Sequence, residues 1–361
     1  MPLPTVQLET LSLAEFRNIS RLSIEPGPRF NVVSGRNGSG KTNLVEAIYL
    51  IGALRSFRTT TSRDLVRHGA GEARVSGVFG AAAAGLQCEV IISERGRRAR
   101  VDGKVPRADG GHFRELPMVL FHPGHMELVQ GSPDARRRFV DRALYQADRT
   151  YPAEHRAYLR ALASRNRLLK AEKTDERSLE AFEAQLAAYG ARIVAARERF
   201  MEQLAPLFAA ALEEVSREGG GSISYTPSVR EEAALAAKLA DGRRGDLARG
   251  FTSAGPHTDD LEFEIKGHSA RRFASQGQQR TAVLAAKIAE TRALAAATGR
   301  TPLMLLDDVS SELDDARNES LLAFLDGVGG QVFITTTHQK HVVVGGDRVD
   351  FAVEEGAVRR G

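Results

Sequence analysis

Apolar and polar residues alternate with a period of two over residues 7–16 and 21–25, and again over 73–79, 86–93 and 98–101. That period predicts antiparallel strands with one face turned to a core. Residues 29–34 read as a short buried strand, and over residues 41–50 the apolar positions shift to helical spacing, with Leu44, Ile48 and Ile51 on one side. From about residue 132 to 217 the spacing stays near 3.6, rich in Ala, Leu and charge, until Gly219-Gly220-Gly221-Ser222 ends it. A strand at 222–225, a helix near 231–240, a longer helix at 279–297 and the apolar strand Leu303-Met304-Leu305-Leu306 follow.

This order predicts an α/β chain in which a sheet lobe is interrupted by a helical one. Residues 1–125 and 250–361 are expected to form the sheet lobe, with the segment near 270–280 packed on the helices, and residues 126–249 the inserted lobe. A chain of 361 residues is long enough for two cores. No heptad pattern of coiled-coil length occurs.

The strand at 29–34 and the helix at 41–50 frame Gly35-Arg36-Asn37-Gly38-Ser39-Gly40-Lys41-Thr42, a full G-x-x-x-x-G-K-[ST] phosphate loop. Its glycines allow backbone angles closed to other residues and bring N–H groups to phosphate oxygens, and the helix N-terminus adds its positive dipole end. Lys41 is expected between the β- and γ-phosphates of ATP, and Thr42 on Mg²⁺. Leu303-Met304-Leu305-Leu306 runs into Asp307-Asp308, two acids suited to different tasks. Asp307 is placed to hold the magnesium ion, and Asp308 to orient or deprotonate the attacking water.

Ser275-Gln276-Gly277-Gln278-Gln279 resembles the signature of ABC-type ATPases, Ser311-Glu312-Leu313-Asp314 their D-loop, and His338 their switch histidine. Within that superfamily the chain resembles the RecF family of bacterial recombination mediators. The resemblance is carried by Leu13-Ala14-Glu15-Phe16-Arg17-Asn18-Ile19, Arg55-Ser56-Phe57-Arg58-Thr59, Gly131-Ser132-Pro133 with Arg136-Arg137-Arg138-Phe139-Val140-Asp141, Gly255-Pro256-His257-Thr258-Asp259-Asp260-Leu261 and Asp307-Asp308 with the D-loop. It implies an ABC-type ATPase head with N-terminal antiparallel strands and an inserted helical lobe. It also implies an ATP-dependent homodimer that binds DNA, hydrolyses ATP slowly under DNA stimulation, and acts with RecR and RecO to direct RecA onto gapped or damaged DNA. Asp308, Lys41 and His338 would then serve catalysis. Arg17, Ser275, Gly277 and Gln278 would join the phosphate loop in binding nucleotide, the signature residues acting on the partner subunit's phosphate.

Asp308 stands where the wider superfamily favours glutamate, one methylene longer, which predicts slow turnover suited to a switch. A Q-loop glutamine is missing from its usual place, where Phe121-His122-Pro123-Gly124-His125 stands, and His122, His125 and Gln130 are the candidates to replace it. A transporter ATPase subunit and a dimerisation module that binds ATP without hydrolysing it are the rival classes.

Charge changes the picture only locally. The chain carries 50 Lys and Arg against 46 Asp and Glu, but residues 131–173 hold 11 basic and 5 acidic residues. On a helix after Pro152, Arg156, Arg160, Arg167 and Lys170 share one face, with Tyr158, Leu159, Leu162 and Leu169 on another. With Arg55 and Arg58 just past the phosphate-loop helix, these are the DNA-contact candidates, reading phosphates of duplex or junction DNA without regard to sequence. Aromatic residues make up 6% and tryptophan is lacking, which argues against a stacking platform. One cysteine, Cys88, excludes an internal disulfide. With no 18-residue apolar run and no leader pattern, a cytoplasmic protein with no membrane partner is expected.

Overall fold

The computed structural model describes residues 3–361 except 82, 84, 107–110, 173–174, 217–218, 310–312 and 338–341. In chain order the elements open with the hairpin β1 (Val6–Phe16) and β2 (Ile19–Ile24), then β3 (Phe30–Ser34) and α1 (Lys41–Ala53). A meander follows, β4 (Glu72–Ala81), β5 (Leu86–Ser93) and β6 (Gly96–Val101), then α2 (Gly111–Glu115) and β7 (Met118–Phe121). The helical stretch contains α3 (Glu127–Gln130), α4 (Pro133–Ala147), α5 (Tyr151–Leu168) and the 41-residue α6 (Glu176–Ser216). Next come β8 (Gly221–Thr226), α7 (Glu232–Arg249), β9 (Asp260–Ile265), β10 (His268–Ser269) and α8 (Ala270–Phe273). The chain ends with α9 (Gln276–Thr298), β11 (Leu303–Leu306), α10 (Asp315–Val328), β12 (Val332–Thr336), β13 (Arg348–Glu354) and β14 (Ala357–Arg360).

Three sheets result. β2-β1-β4-β5-β6 is antiparallel throughout, as the alternating pattern predicts. The central sheet, β14-β13-β3-β12-β11-β7, is parallel except for the β13–β14 hairpin at one edge. A small sheet, β10-β9-β8, lies against α6.

The strands β7 and β11 are apolar at every position because both faces are covered. Along β11, Met304 and Leu306 enter one core with α4, α6 and α9, whereas Leu303 and Leu305 enter the other with α1 and the antiparallel sheet. Val332 and Ile334 of β12 likewise face the helices while Phe333 faces α1. The phosphate-loop strand and the acidic strand thus lie in one sheet with β12 between them, and their C-terminal ends open on the same edge.

Two buried arginines knit the helical region. Arg165 on α5, fully buried, pairs with Glu183 of α6 at 2.9 Å and Asp246 of α7 at 2.8 Å. Arg197 on α6 pairs with Asp141 of α4 at 2.8 Å and Asp259 at 3.1 Å. Arg136 adds a two-pronged pair with Asp260, 2.7 and 3.0 Å. The segments around 136–141 and 255–261 therefore meet each other, and serve to join α4, α6 and β9.

Candidate functional site

The phosphate loop is gripped from two sides. Asn18, in the β1–β2 turn, donates to the Ser39 carbonyl at 3.0 Å and accepts from Asn43 at 2.8 Å. Gly356, in the β13–β14 turn, donates its N–H to the same carbonyl at 2.9 Å. Gly35 has no room for a side chain, since a Cβ would stand 2.4 Å from the Val353 carbonyl oxygen. Gly38 and Gly40 hold φ of 79° and 118°, angles that require glycine. Arg36, Asn37 and Gly38 are exposed, whereas Ser39, Gly40 and Lys41 are buried. The Ser39 hydroxyl is buried without a hydrogen-bond partner.

Lys41 folds its ammonium back over the loop, donating to the carbonyls of Gly35 at 2.7 Å and Arg36 at 3.0 Å. Burial pulls its pKa below the ordinary lysine value, with Asp308 and Asp307 opposing. Beside it the Thr42 hydroxyl donates to Asp307 Oδ1 at 2.9 Å, bringing together two residues 265 apart in the chain. Thr335, at the end of β12, gives its hydroxyl proton to the same Asp307 oxygen at 2.9 Å and accepts the Asp308 N–H at 2.8 Å. Burial raises the Asp307 pKa, Thr42 and Thr335 oppose this, and Asp308 adds to it. Asp308 sits at φ 52°, a left-handed angle that aspartate tolerates and that turns it away from the strand path. Exposed loop amides, a poised lysine and a Thr–Asp pair fit a nucleotide phosphate and a magnesium ion respectively. Among the described residues no group of three or more His, Cys, Asp or Glu side chains could hold a metal; the pair here has one carboxylate and one hydroxyl, as suits an ion that keeps much of its water.

Thr335 escaped the sequence reading. Its signal was the pair of threonines that ends an otherwise apolar strand, in register one step beyond Leu306–Ile334. Glu46 escaped too. Fully buried on α1, it takes two hydrogen bonds from Arg17 at 2.8 and 2.9 Å, one from Ser56 at 2.5 Å and one from Arg58 at 3.2 Å. Arg17 therefore bears on the loop through α1 in this state. Arg58 also reaches Asn43 at 2.7 Å, so it is tied to the phosphate-loop helix.

At the other end, Ser275 caps α9. Its hydroxyl accepts the Gln278 N–H at 3.2 Å, and the Gln278 side chain accepts the Ser275 N–H at 2.9 Å. Ser275 is exposed and Gly277 half-buried. Behind them Arg317 of α10 donates to Thr281 at 2.7 Å and lies so close that a Cβ on Gly277 would stand 3.1 Å from its Nη2. Arg317 is anchored in turn on Asp314, the N-cap of α10. Of the D-loop, Leu313 and Asp314 are described; Ser311, Glu312 and His338 lie outside the described residues. Gln130 of α3 donates to Gln279 of α9 at 2.7 Å. The rings of His122 and His125 pack with centroids 4.0 Å apart and planes tilted by 48°, and burial pushes both pKa values down, that of His122 to about 3, so both are neutral at pH 7.

The expected basic stripe forms, with Arg156, Arg160, Arg167 and Lys170 all exposed, but one of its apolar neighbours is misplaced. Leu159 is 44% exposed. At about 100° per residue it falls beside Lys170 on the wheel, while the buried side is centred on Tyr158 and Arg165. Arg55 and Arg156 meet across a cavity of about 620 Å³. Arg97, Arg98, Arg100 and Arg142 line it as well, and the run Arg95-Gly96-Arg97-Arg98-Ala99-Arg100 was the missed sequence signal. Among the described residues no helix is long and apolar enough to cross a membrane.

The family model for the RecF/RecN/SMC N-terminal domain matches residues 7–357. The chain is 40% identical over 366 residues to the DNA replication and repair protein RecF of Anaeromyxobacter sp. (strain Fw109-5), covering 98% of this chain and 99% of that one. It is 41% identical over 345 residues to the protein of that name from Myxococcus xanthus (strain DK1622), covering 92% and 91%. The solved recombination mediator protein RecF-ATP of the RecFOR pathway superposes with a TM-score of 0.90 at 32% identity, covering 99% of this chain and 98% of that chain. An Smc head domain from Pyrococcus furiosus superposes at 0.57 with 18% identity, a likeness of fold.

Proposed function

Because the chain belongs to the RecF family, we propose that it is an ATP-dependent DNA-binding protein of replication and recombinational repair, working as a slow, DNA-stimulated ATPase switch. The observation that carries this reading is the Thr42–Asp307 contact of 2.9 Å at the mouth of a complete phosphate loop. Loop amides and Lys41 would hold the phosphates of ATP, and Thr42 with Asp307 would hold Mg²⁺. The bound nucleotide supplies the scissile phosphoanhydride and the charge that the surrounding residues sense. Lys41 would exchange its two carbonyl acceptors for phosphate oxygens. Asp308, held through the Thr335 hydroxyl, would take the proton of the attacking water, with His338 assisting. Arg17 would join the nucleotide contacts by leaving Glu46.

Ser275 is exposed, Gly277 and Gln278 are half-buried, and all three are preshaped at a helix N-terminus, which supports a role against the phosphates held by a second copy. An isologous dimer with two such sites follows from that arrangement. Residues 126–249 would act as an inserted lobe, with Gln130 linking it to the signature helix in the role of the absent Q-loop glutamine. DNA would run along the basic edge of α5 and the adjoining arginines, including Arg55 and Arg58. RecR, RecO and RecA are the proposed protein partners, on the strength of the pathway named for the solved RecF.

Molecular mass in solution tests this reading, measured without nucleotide, with ADP and with ATP plus magnesium, each with and without DNA. ATP-specific conversion to a dimer that binds DNA more tightly is the expected result. A mass and a DNA affinity that ignore the γ-phosphate would overturn it.

A further inference from the structure

We propose that the arginine-lined cavity between the edge strand β6 and helices α1, α2, α4 and α5 is a binding groove for a single-stranded segment of nucleic acid. The inference rests on the reading that this protein binds DNA, and it assigns a place and a strand state to that binding. The cavity has a volume of about 620 Å³. Six arginines line it, Arg55, Arg97, Arg98, Arg100, Arg142 and Arg156, and among the described residues its lining contains no Asp or Glu. Only Arg98 has a carboxylate within ion-pair distance among the described residues, Glu72 at 3.9 Å. Arg136, Arg165 and Arg197 differ in being ion-paired with acids that hold the fold, whereas the other five line an open cavity without such a pair among the described residues.

The buried Nε of Arg142, without a hydrogen-bond partner, marks the inner wall. The outer wall is the end of the antiparallel sheet. β6 is an edge strand, so its arginines are carried on a rigid ladder with one side unpaired. Arg97 and Arg100 are both exposed there.

What distinguishes a single strand from a duplex is the apolar part of the lining. Phe113 and Tyr145 stand edge to face, centroids 6.1 Å apart and 84° between planes, and Arg55 lies 5.9 Å from the Tyr145 ring. Arginines around aromatic faces suit unpaired nucleotides, with phosphates on the guanidinium groups and bases against the rings. A duplex keeps its bases inside and would use the arginines alone. Low aromatic content over the whole chain concealed this local cluster.

The test is fluorescence anisotropy of the full chain with ATP and magnesium, on labelled oligothymidine and on a labelled blunt hairpin duplex, across a salt series. Arg97→Ala with Arg100→Ala is expected to weaken oligothymidine binding at least tenfold. It should also flatten the slope of log affinity on log salt by roughly 1.4, two contacts at about 0.7 each. The same positions as Arg97→Lys and Arg100→Lys should keep most of both. Phe113→Leu, which preserves an apolar filler, should weaken oligothymidine several-fold and leave the hairpin unchanged. Unaltered oligothymidine binding by the alanine variant overturns the groove while DNA binding by the wild type still stands. Equal losses on hairpin and oligothymidine, with Phe113→Leu silent, assign the groove to duplex backbone and overturn the single-strand inference. A wild-type protein that binds neither ligand overturns the DNA reading itself, and the groove with it. Matching melting temperatures keep misfolding out of the comparison.

Discussion

The phosphate-loop end and the signature end of the proposed nucleotide site are built on opposite principles. At the first, Ser39, Lys41 and Asp307 are buried, and the loop is clamped by Asn18 and Gly356 from two separate sheets. At the second, Ser275 is exposed, and its hydroxyl and N–H are matched to Gln278, three residues along the same chain. A site finished by its own chain spends its hydrogen bonds inward, while a site waiting for another molecule keeps a shaped but solvated surface. The difference is what the proposed two-copy site requires, one chain holding the nucleotide and another completing the chemistry, and the expected outcomes below press on each end separately.

The largest effect is expected at the first end. Asp308→Asn removes the proposed base while the Asp308 backbone bond to Thr335 survives, so ATP hydrolysis should fall by roughly 10²–10⁴-fold with nucleotide affinity nearly unchanged. Single-turnover hydrolysis beside equilibrium nucleotide binding separates the two quantities. Loss of ATP binding in this variant would mean the carboxylate belongs to the binding half.

At the second end the informative change is Ser275→Asp. Aspartate caps a helix as well as serine does, so α9 should keep its stability, yet a negative charge now faces the phosphate of a second copy. Association driven by ATP should weaken by at least about tenfold, the scale of one charge-assisted hydrogen bond of ~1.5–3 kcal/mol, while ATP binding by the isolated chain is unchanged. Light scattering against ATP concentration reads the first and nucleotide titration at low protein concentration the second. Equal loss in both would dissolve the distinction between the ends.

A smaller effect is expected from Arg317, which joins the two ends through the structure behind them. Its bond to Thr281 and its anchor on Asp314 tie the signature helix to the helix that follows the acidic strand. Arg317→Met removes about 1 kcal/mol of net hydrogen bonding but keeps most of the bulk beside Gly277. Hydrolysis should drop several-fold with ATP affinity constant. A matching fall in affinity would make Arg317 part of the binding half instead of a positioning residue for the signature.

The two ends also differ in how far they could be read from the residues. The phosphate loop and Asp307-Asp308 are contiguous patterns in strand-to-helix and strand-end contexts, so the sequence alone placed them, and all five strands of the antiparallel sheet followed from alternation. What was not legible depends on register or on pairing between distant segments. Thr335 matters because β12 lies beside β11, and Glu46 because it collects Arg17, Ser56 and Arg58 from three separate stretches. Basic residues show the limit best. Between residues 131 and 173, Arg136 and Arg165 look like their neighbours in the sequence but are buried and paired. Leu159 failed because a wheel drawn without Arg165 in the core puts the apolar side in the wrong place.

The smallest effect expected is on stability, and it sets the two ends apart without any nucleotide. Asp307 is 6% exposed, and burial holds its pKa above the usual carboxylate value. A carboxyl whose pKa is higher in the folded state binds its proton more tightly there, so its favourable contribution is complete below the unfolded value near 3.9 and is lost as pH rises through the folded value. At neutral pH the nucleotide-free protein thus carries a buried charge that costs stability. Asp307→Asn keeps an oxygen to accept from Thr42 and Thr335 and discards the charge, so the variant should be more stable than the wild type by about 1 kcal/mol at pH 7, the scale of an ordinary substitution. The gap should narrow as pH falls through the folded value and close below the unfolded value near 3.9. Thermal melts across that range decide it, and magnesium with ATP should reverse the order, because only the aspartate can use the ion. No such pH-dependent gain is expected from Ser275→Ala, which should instead lose about 1 kcal/mol of helix capping at every pH. A melting advantage for Asp307→Asn that persists unchanged at pH 4 would show that packing, and not the buried charge, separates the two ends.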